Sequence, residues 1–566
     1  SLHNTTGRTQ RLNLDLRTDG LALAATPALP DSLAPDQRIT LNYPYHADKA
    51  GDAYIKAAIS GDYSETLERR IPVRAPTLPQ IRSRYQRLDG GATLELSGLD
   101  AAHLNLDQGL PDNAYRFGEQ LAAYPYWCNE QTTGKLWGEL SQKKADPKIL
   151  HSLERRLAGS AHYDGSYTLW WDGRKDRWLT AYAGEALTQM RHNKQLKNPE
   201  SLARTLTYLR NNSNGDYNSE HAHADSYAYY TLAYAGESVR GLVLRYHRQA
   251  GTQLNRADSL DIATALALLG EYRAAGERLA STAANKNSDN YGDYHYGSRT
   301  SITAHNLTRL KQLQSAWQSV ADDPRDTLGL IREMHDEESE NLRAFLAADD
   351  YLSTQELAWL ARLAGFAGQL PEDTAIRIDG EDTTLGAMKK GEYNGSIRIT
   401  NPGKQPLWLT SHDLYSPPAD AASSNGWEIA IRYEDREGNA LDPEALPNNT
   451  DIRITATFTQ KGNYADYHSE LIYTYPTPAG ITLTPLRGRS PEQDKDDDRV
   501  QYRYHENRDD RHIAAFTLHG EPRAFSYTIL GRTTRAGTWH APGATIENMY
   551  HPEEHARQAA QQIVVQ

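Results

Sequence analysis

The sequence holds one cysteine, Cys128, in 566 residues, so no disulfide forms within the chain. An oxidising compartment stays open, but a lone thiol there is a liability unless it is masked or used. No run of about 18 apolar residues occurs, which excludes a membrane-spanning helix in this sequence. Basic residues are the minority, 61 Lys and Arg against 74 Asp and Glu, for a formal charge of −13. That balance argues against a nucleic-acid binder, which neutralises phosphates with cations. Hydrophobic residues make up only 38%, but 34 Tyr and 10 Trp bury area while keeping a polar handle, so disorder is not expected. The length corresponds to three to five domains. The chain starts Ser1-Leu2-His3, without an initiator Met or a signal peptide, and reads as a piece of a longer protein.

Hydrophobic periodicity divides the chain. Leu12-Asn13-Leu14-Asp15-Leu16 and the stretch around Ile39-Thr40-Leu41-Asn42-Tyr43 alternate with period two, as strands do. Pro76-Thr77-Leu78-Pro79 reads as a linker, and Ala92-Thr93-Leu94-Glu95-Leu96 as another strand. From about residue 100 the period becomes helical. Leu150–Leu157, Trp178–Met190, Ser201–Leu209, Tyr227–Ala235, Ser259–Leu269, Ile302–Leu313 and Thr354–Ala364 repeat apolar residues at three- and four-residue spacing. Ser353, with Glu356 three residues later, marks a capped helix start. With no strand signal between them, these segments predict an all-α domain of roughly 270 residues. After Pro371 alternation returns at Ile376–Ile378, Ser396–Ile399 and Leu407–Leu409, with Asn401-Pro402-Gly403 as a turn. Ile452–Phe458 is a further strand. The short β segments on either side of the helical block could form one domain into which the helices are inserted.

Cys128 lies in Tyr124-Pro125-Tyr126-Trp127-Cys128-Asn129-Glu130-Gln131-Thr132-Thr133. Cys128 and Gln131 stand three apart, so at a turn or helix start their side chains can touch. A thiolate attacking the Gln131 carboxamide and expelling ammonia leaves an internal thioester, an acyl donor that has to be kept dry. Tyr124, Tyr126 and Trp127 suit that shielding.

The segment resembles the bacterial alpha-2-macroglobulins, relatives of the complement thioester proteins. Cys128, Glu130 and Gln131 match their Cys-X-Glu-Gln signature. Gly165-Ser166-Tyr167-Thr168-Leu169-Trp170, Trp178-Leu179-Thr180-Ala181-Tyr182, Tyr296-Gly297-Ser298 and Ser353-Thr354-Gln355-Glu356-Leu357-Ala358-Trp359 resemble further family motifs in the same order. Met549-Tyr550-His551-Pro552-Glu553 is similar to the closing one. The resemblance covers essentially the whole chain, as the C-terminal third of such a protein.

The resemblance implies a multidomain α + β architecture, an α/α toroid thioester domain inserted in a CUB-like β domain and flanked by macroglobulin-like β-sandwiches. The expected boundaries are 1–77 for a first sandwich, 78–99 and 371–415 for the two CUB-like parts, 100–370 for the toroid and 416–566 for a receptor-binding-type sandwich. It also implies that Met549 and Tyr550 form a lid over the thioester, and that His221 or His223 takes over the acyl group or acts as a base. The function it implies is covalent trapping of proteases through their Lys amines. In the family a bait segment upstream triggers the trap, and the reaction is single-use rather than catalytic. A Gram-negative periplasmic location follows, with the full-length protein tethered to the inner membrane by an N-terminal lipid and a peptidoglycan synthase as a possible partner. No cofactor or metal is called for.

Bland readings compete with these. Cys128 alone would be a buried structural thiol. His221-Ala222-His223 with Asp225 reads as a solvated pair lacking a further ligand. His551-Pro552-Glu553-Glu554-His555 matches a zinc-protease pattern formally, but with Pro at its second position. The acidic run Asp496-Asp497-Asp498 lacks the alternation of a calcium loop. A glycan-active α/α-toroid enzyme would need paired central acids that the sequence does not mark. A cysteine hydrolase would leave Gln131 unexplained. A thioester-less binding or structural relative is the remaining alternative.

Overall fold

The computed structural model of the chain describes all residues except 1, 24–29, 42–44, 48–50, 63, 74–79, 109–113, 125, 171–172, 214–221, 285–296, 319, 321–325, 349–351, 367–369, 416–420, 462–467, 485–491, 494–499, 521–523 and 552. The Pro76–Pro79 linker, Pro125, His221, Tyr296, Asp496–Asp498 and Pro552 lie outside the described residues.

The chain forms two compact units, one before Gln80 and one from Gln80 on. In the first, Ser32–Leu33, Gln10–Asp19, Gly51–Gly61 and Glu65–Val73 make a four-stranded sheet in that order. Along Gln10–Asp19, Leu12, Leu14 and Leu16 are half-buried while Asn13, Asp15 and Arg17 are exposed, the alternation a one-sided sheet requires. Of the expected strand around Ile39, Arg38–Ile39 is a strand pair, Thr40 and Leu41 are not in a strand, and Asn42 and Tyr43 lie outside the described residues.

The second unit contains a helical domain inserted into a sheet. Strands Gln80–Leu88 and Thr93–Asp107 precede the helices. Ala375–Ile378, Glu381–Thr384, Tyr393–Thr400 and Leu407–Tyr415 follow them, and all six share one sheet. Thr93–Asp107 pairs first with Tyr393–Thr400 and then, beyond a pair of register shifts, with Leu407–Tyr415. It stays a strand to Asp107, past the point where the helical period begins. Gln120 donates to the ring of His412 at 2.7 Å, tying the first helix to this sheet.

The described helices between these strand blocks are α1 (Ala114–Ala123), α2 (Asn129–Leu140), α3 (Pro147–Ser160), α4 (Arg177–His192), α5 (Pro199–Asn212), α6 (Ala222–Tyr234), α7 (Arg240–Ala250), α8 (Arg256–Leu268), α9 (Tyr272–Ala284), α10 (Arg299–Trp317), α11 (Thr327–Ala348) and α12 (Thr354–Ala364). The even-numbered helices pack each on the next, and α12 returns to α2. This closed inner ring, with the remaining helices outside it, is an α/α toroid. Inner helices are enclosed on all sides: α8 is buried from Arg256 to Ala267 and α12 throughout. Outer helices such as α3 bury one stripe, Leu150, Leu153, Glu154 and Leu157, as surface helices do. One small ladder, Tyr167–Thr168 with Lys175–Asp176, interrupts the expected all-α block. Two residues per strand are too few to register as a period. Gly165 before it has φ +87°, and a Cβ there would lie 2.3 Å from the Arg204 carbonyl carbon, so only glycine fits.

The C-terminal part is a sandwich of two antiparallel sheets. One runs Ser423–Asn425, His555–Arg557, Thr545–Asn548, His468–Pro476, Arg511–His519, Val500–Asn507. The other runs Ala440–Leu441, Trp427–Glu434, Asp451–Gln460, Ala524–Thr533, Ile481–Leu483. Strand His468–Pro476 is buried on both faces. Leu471, Tyr473 and Tyr475 enter the sandwich core with Phe458 and Phe516, while Ile472 joins Ile513, Ala515, Met549 and Tyr550 in the core of the helical domain. Because successive side chains point to opposite faces, this one strand joins the sandwich to the toroid. Among the described residues no helix is long and apolar enough to cross a membrane.

Candidate functional site

Helix α2 begins with a cap in which sulfur stands in for the usual oxygen. Cys128, extended at φ −65° and ψ 171°, is the N-cap. Its sulfur accepts the Gln131 N–H at 3.4 Å, and the Gln131 side-chain oxygen accepts the Cys128 N–H at 3.2 Å. A capping box needs partners three residues apart, and the Cys-x-x-Gln spacing meets that geometry, folding the carboxamide back toward the thiol. The cap is fixed from outside: Asn129 donates its backbone N–H to Leu169 O at 3.0 Å and its side chain to Thr168 O at 2.8 Å.

Glu130, fully buried, accepts from Gln355 at 2.6 Å, Thr354 at 3.0 Å and Tyr550 at 3.2 Å. Burial pushes its carboxyl up to about 7, against the downward pull of these three donors. Gln355 is itself oriented by the indole N–H of Trp359, which donates to it at 3.2 Å. Thr354 and Gln355 open α12, whose N-cap Ser353 and Glu356 form the expected capping box.

The segment after strand Thr545–Asn548 closes over this cap. Met549 donates its N–H to Glu470 O at 2.8 Å, and its sulfur accepts the Gln131 side-chain N–H at 3.5 Å. Asn548 holds the turn by accepting from Tyr550 N and donating to Glu554. Met549 and Tyr550 are 2% and 5% exposed. Burial pushes the Cys128 thiol well above its ordinary range, helped by Glu130 and Glu470. That is the reverse of what a thiolate nucleophile of a cysteine hydrolase requires.

The expected aromatic shield divides. The Tyr126 hydroxyl pairs with Thr474 at 2.8 Å, and Tyr124 packs edge-on against it at 5.4 Å while bonding Glu547. Trp127 is 37% exposed and stands between the Lys135 amine, 3.5 Å from its ring centroid, and Arg156 at 4.9 Å. It lines a cleft of about 330 Å³ with Cys128, Arg156, Trp170, Tyr504 and Arg508.

His223, on α6, pairs with Asp258 at 2.6 Å and lies against Trp178. The contacts that hold Cys128, Glu130 and Gln131 come instead from Met549, Tyr550, Thr354 and Gln355. His551 lies in the closing turn and His555 begins a strand, so they do not share the helix face of a zinc-protease site. Two acids do meet at the toroid centre. Glu185 and Asp261 both bind Arg309, at 3.1 and 2.7 Å, and Arg362 also pairs with Glu185. Burial raises both carboxyls, but the Arg309 and Arg362 charges beside Glu185, and His305 and Arg309 beside Asp261, hold them at about 2. Such permanently ionised, paired carboxylates do not fit a glycosidase acid.

Residues that sequence reading passed over include Gln355 and Thr354 as Glu130 partners, and Lys135. The one local signal for Lys135 was its place four residues after Gln131.

Two family models match the sequence: the A-macroglobulin TED domain over residues 109–231 and the bacterial alpha-2-macroglobulin MG10 domain over 426–553. The chain is 24% identical to the alpha-2-macroglobulin of Escherichia coli K12 and 22% identical to that of Xylella fastidiosa Temecula1. These matches cover 99% and 97% of this chain, which spans 37% and 36% of those relatives. The fold is that of Salmonella alpha-2-macroglobulin reacted with methylamine (TM-score 0.80, 22% identity, 100% of this chain and 39% of that one). It is also that of native Escherichia coli alpha-2-macroglobulin spanning domain MG7 to the C-terminus (TM-score 0.80, 22% identity, 100% and 95%).

Proposed function

We propose that the chain is the counterpart of the C-terminal part of a bacterial alpha-2-macroglobulin, to which it is similar, and the covalent-capture part of a protease inhibitor, armed by a Cys128–Gln131 thioester. The observation that carries this is the reciprocal cap between Cys128 and Gln131 under Met549. Attack of sulfur on the carboxamide carbon releases ammonia. A Lys amine of an attacking protease then displaces sulfur, leaving an amide to that protease and a free thiol. Burial of Cys128, Glu130 and Gln131 supports the reading, since water would otherwise hydrolyse the acyl donor.

The trigger belongs to a bait segment elsewhere in the longer protein, so the chain alone does not trap on demand. From the family resemblance we also propose a Gram-negative periplasmic location, with the full-length protein lipid-tethered to the inner membrane. Fractionation that put the native protein in the cytoplasm would overturn that placement. The functional test mixes the full-length protein with a lysine-rich protease and resolves it on a denaturing gel. A covalent adduct forms with wild type and not with Cys128→Ala; absence of an adduct from wild type defeats the reading.

A further inference from the structure

Lys135 is a buried amine that this capture scheme does not use. It sits on α2 one turn beyond Gln131, 4% exposed. Helical side chains lean toward the N-terminus, and that of Lys135 runs back past the Gln131 turn to donate to Tyr124 O at 2.6 Å. Its ammonium also rests 3.5 Å from the Trp127 ring centroid. Both restraints belong to the segment just before Cys128. Residues at i and i+4 of a helix have Cβ atoms about 5–6 Å apart, and Gln and Lys side chains together are long enough to bridge that gap with an amide.

We propose that Lys135 is the internal acceptor of the Gln131 acyl group, freed to react when Tyr124 and Trp127 are displaced from it. The inference rests on the Cys128–Gln131 thioester. Lys135 Nζ attacks Gln131 Cδ, the Cδ–Sγ bond breaks, and the proton lost from nitrogen ends on the Cys128 sulfur. The products are a Gln131–Lys135 isopeptide and a free thiol, with no oxidant or co-reactant. In the closed state the amine is pinned on Tyr124 O and Trp127. Burial draws its pKa down to about 8 in this closed state, so a larger fraction of it is already unprotonated there than of a surface lysine. An amine fixed one helical turn from its target acts as if far more concentrated than any amine in solution, so it outruns water. A chain that opens without meeting a protease therefore ends crosslinked rather than hydrolysed.

The test uses the whole chain in amine-free buffer. The native chain is first weighed and treated with an alkylating reagent. It is then warmed until Cys128 becomes alkylatable and digested with trypsin. The inference expects the opened chain to stay one ammonia lighter than its sequence and to lose tryptic cleavage after Lys135, giving one peptide from Phe117 to Lys143 with an internal link. Lys135→Arg keeps the cation against Tyr124 and Trp127 but has no acylatable amine. After opening it should carry Glu at position 131, with no ammonia deficit. If the native chain has full mass and a freely alkylated Cys128, the thioester reading fails and the inference with it. If the native chain has the deficit, but after warming trypsin still cuts after Lys135, the inference is overturned while the thioester stands.

Discussion

The hydroxyl of Tyr550 lies 3.2 Å from a carboxylate oxygen of Glu130, closing a contact between residues 420 positions apart. Tyr550 packs into the helical-domain core at 5% exposure, so it is a core anchor besides its proposed part in the lid. Tyr550→Phe should cost about 1 kcal/mol, the worth of one hydrogen bond, and Tyr550→Ala about 3–5 kcal/mol, as for other buried aromatics. Both should speed spontaneous appearance of an alkylatable Cys128, Ala more than Phe. Decay of either at the wild-type rate removes Tyr550 from the lid.

Glu130 and Glu547 carry the opposite pH signature from the toroid's central acids. Burial raises each to about 7 from an ordinary 4.5. Between those values the folded chain holds protons the unfolded chain has released, so stability falls as pH rises through that window. Glu185 and Asp261, held at about 2, contribute stability above the ordinary carboxylate range that is lost as pH falls toward 2. Glu130→Gln should remove one such contribution, so from about pH 5 to about pH 7.5 its thermal midpoint should fall less, or rise more, than that of the wild type. An unchanged slope in that variant would show that Glu130 is not the titrating group.

Glu185 is the shared anion of two buried arginines. It meets Arg309 at 3.1 Å, also pairs with Arg362, and accepts from Tyr227 at 2.5 Å. Removing one member of a buried ion network leaves uncompensated charge, at about 3–5 kcal/mol. Glu185→Ala should therefore lower the unfolding free energy by about 3–5 kcal/mol, read from a lower denaturant midpoint at unchanged slope. A loss under about 1 kcal/mol, typical of an exposed pair, would mean the ring centre is wetter than its geometry indicates.

What the sequence makes legible is local or periodic. The Cys128–Gln131 contact and the Ser353–Glu356 cap are three-residue relationships, and the strands on either side of the helices carry period two. The partners of Glu130 are not legible, because Gln355 and Tyr550 reach it from 225 and 420 residues away. Helix α11 escapes notice for another reason. Its buried stripe includes Thr327, Glu338 and Ser339, and Glu338 is paired with Arg256 at 2.7 Å. Polar residues at core positions break the apolar pattern while the structure neutralises them. The residues just after Asn548 have no period at all and are legible only through the family resemblance.

The cleft beside Cys128 makes a size-dependent prediction for the proposed thioester. The native chain should weigh one ammonia less than its sequence, resist alkylation at Cys128, and gain a free thiol when methylamine opens the ring. On the proposed reading Met549 and Tyr550 close the Gln131 side, which leaves entry by the cleft of about 330 Å³ whose walls include Trp127, Trp170 and Tyr504. Trp170 and Tyr504 are stacked at 4.5 Å and form its rigid wall. Trp127, 37% exposed, is the outermost of these walls, although cutting it back also removes a restraint on Lys135. Methylamine should therefore open the wild type well before a bulkier amine of similar basicity, and Trp127→Ala should narrow that difference by admitting the bulky one. Equal rates for both amines in the wild type would mean that the ring is reached through a transient opening of the lid. A native chain of full mass with a freely alkylated Cys128 would instead make this a relative that acts by binding alone.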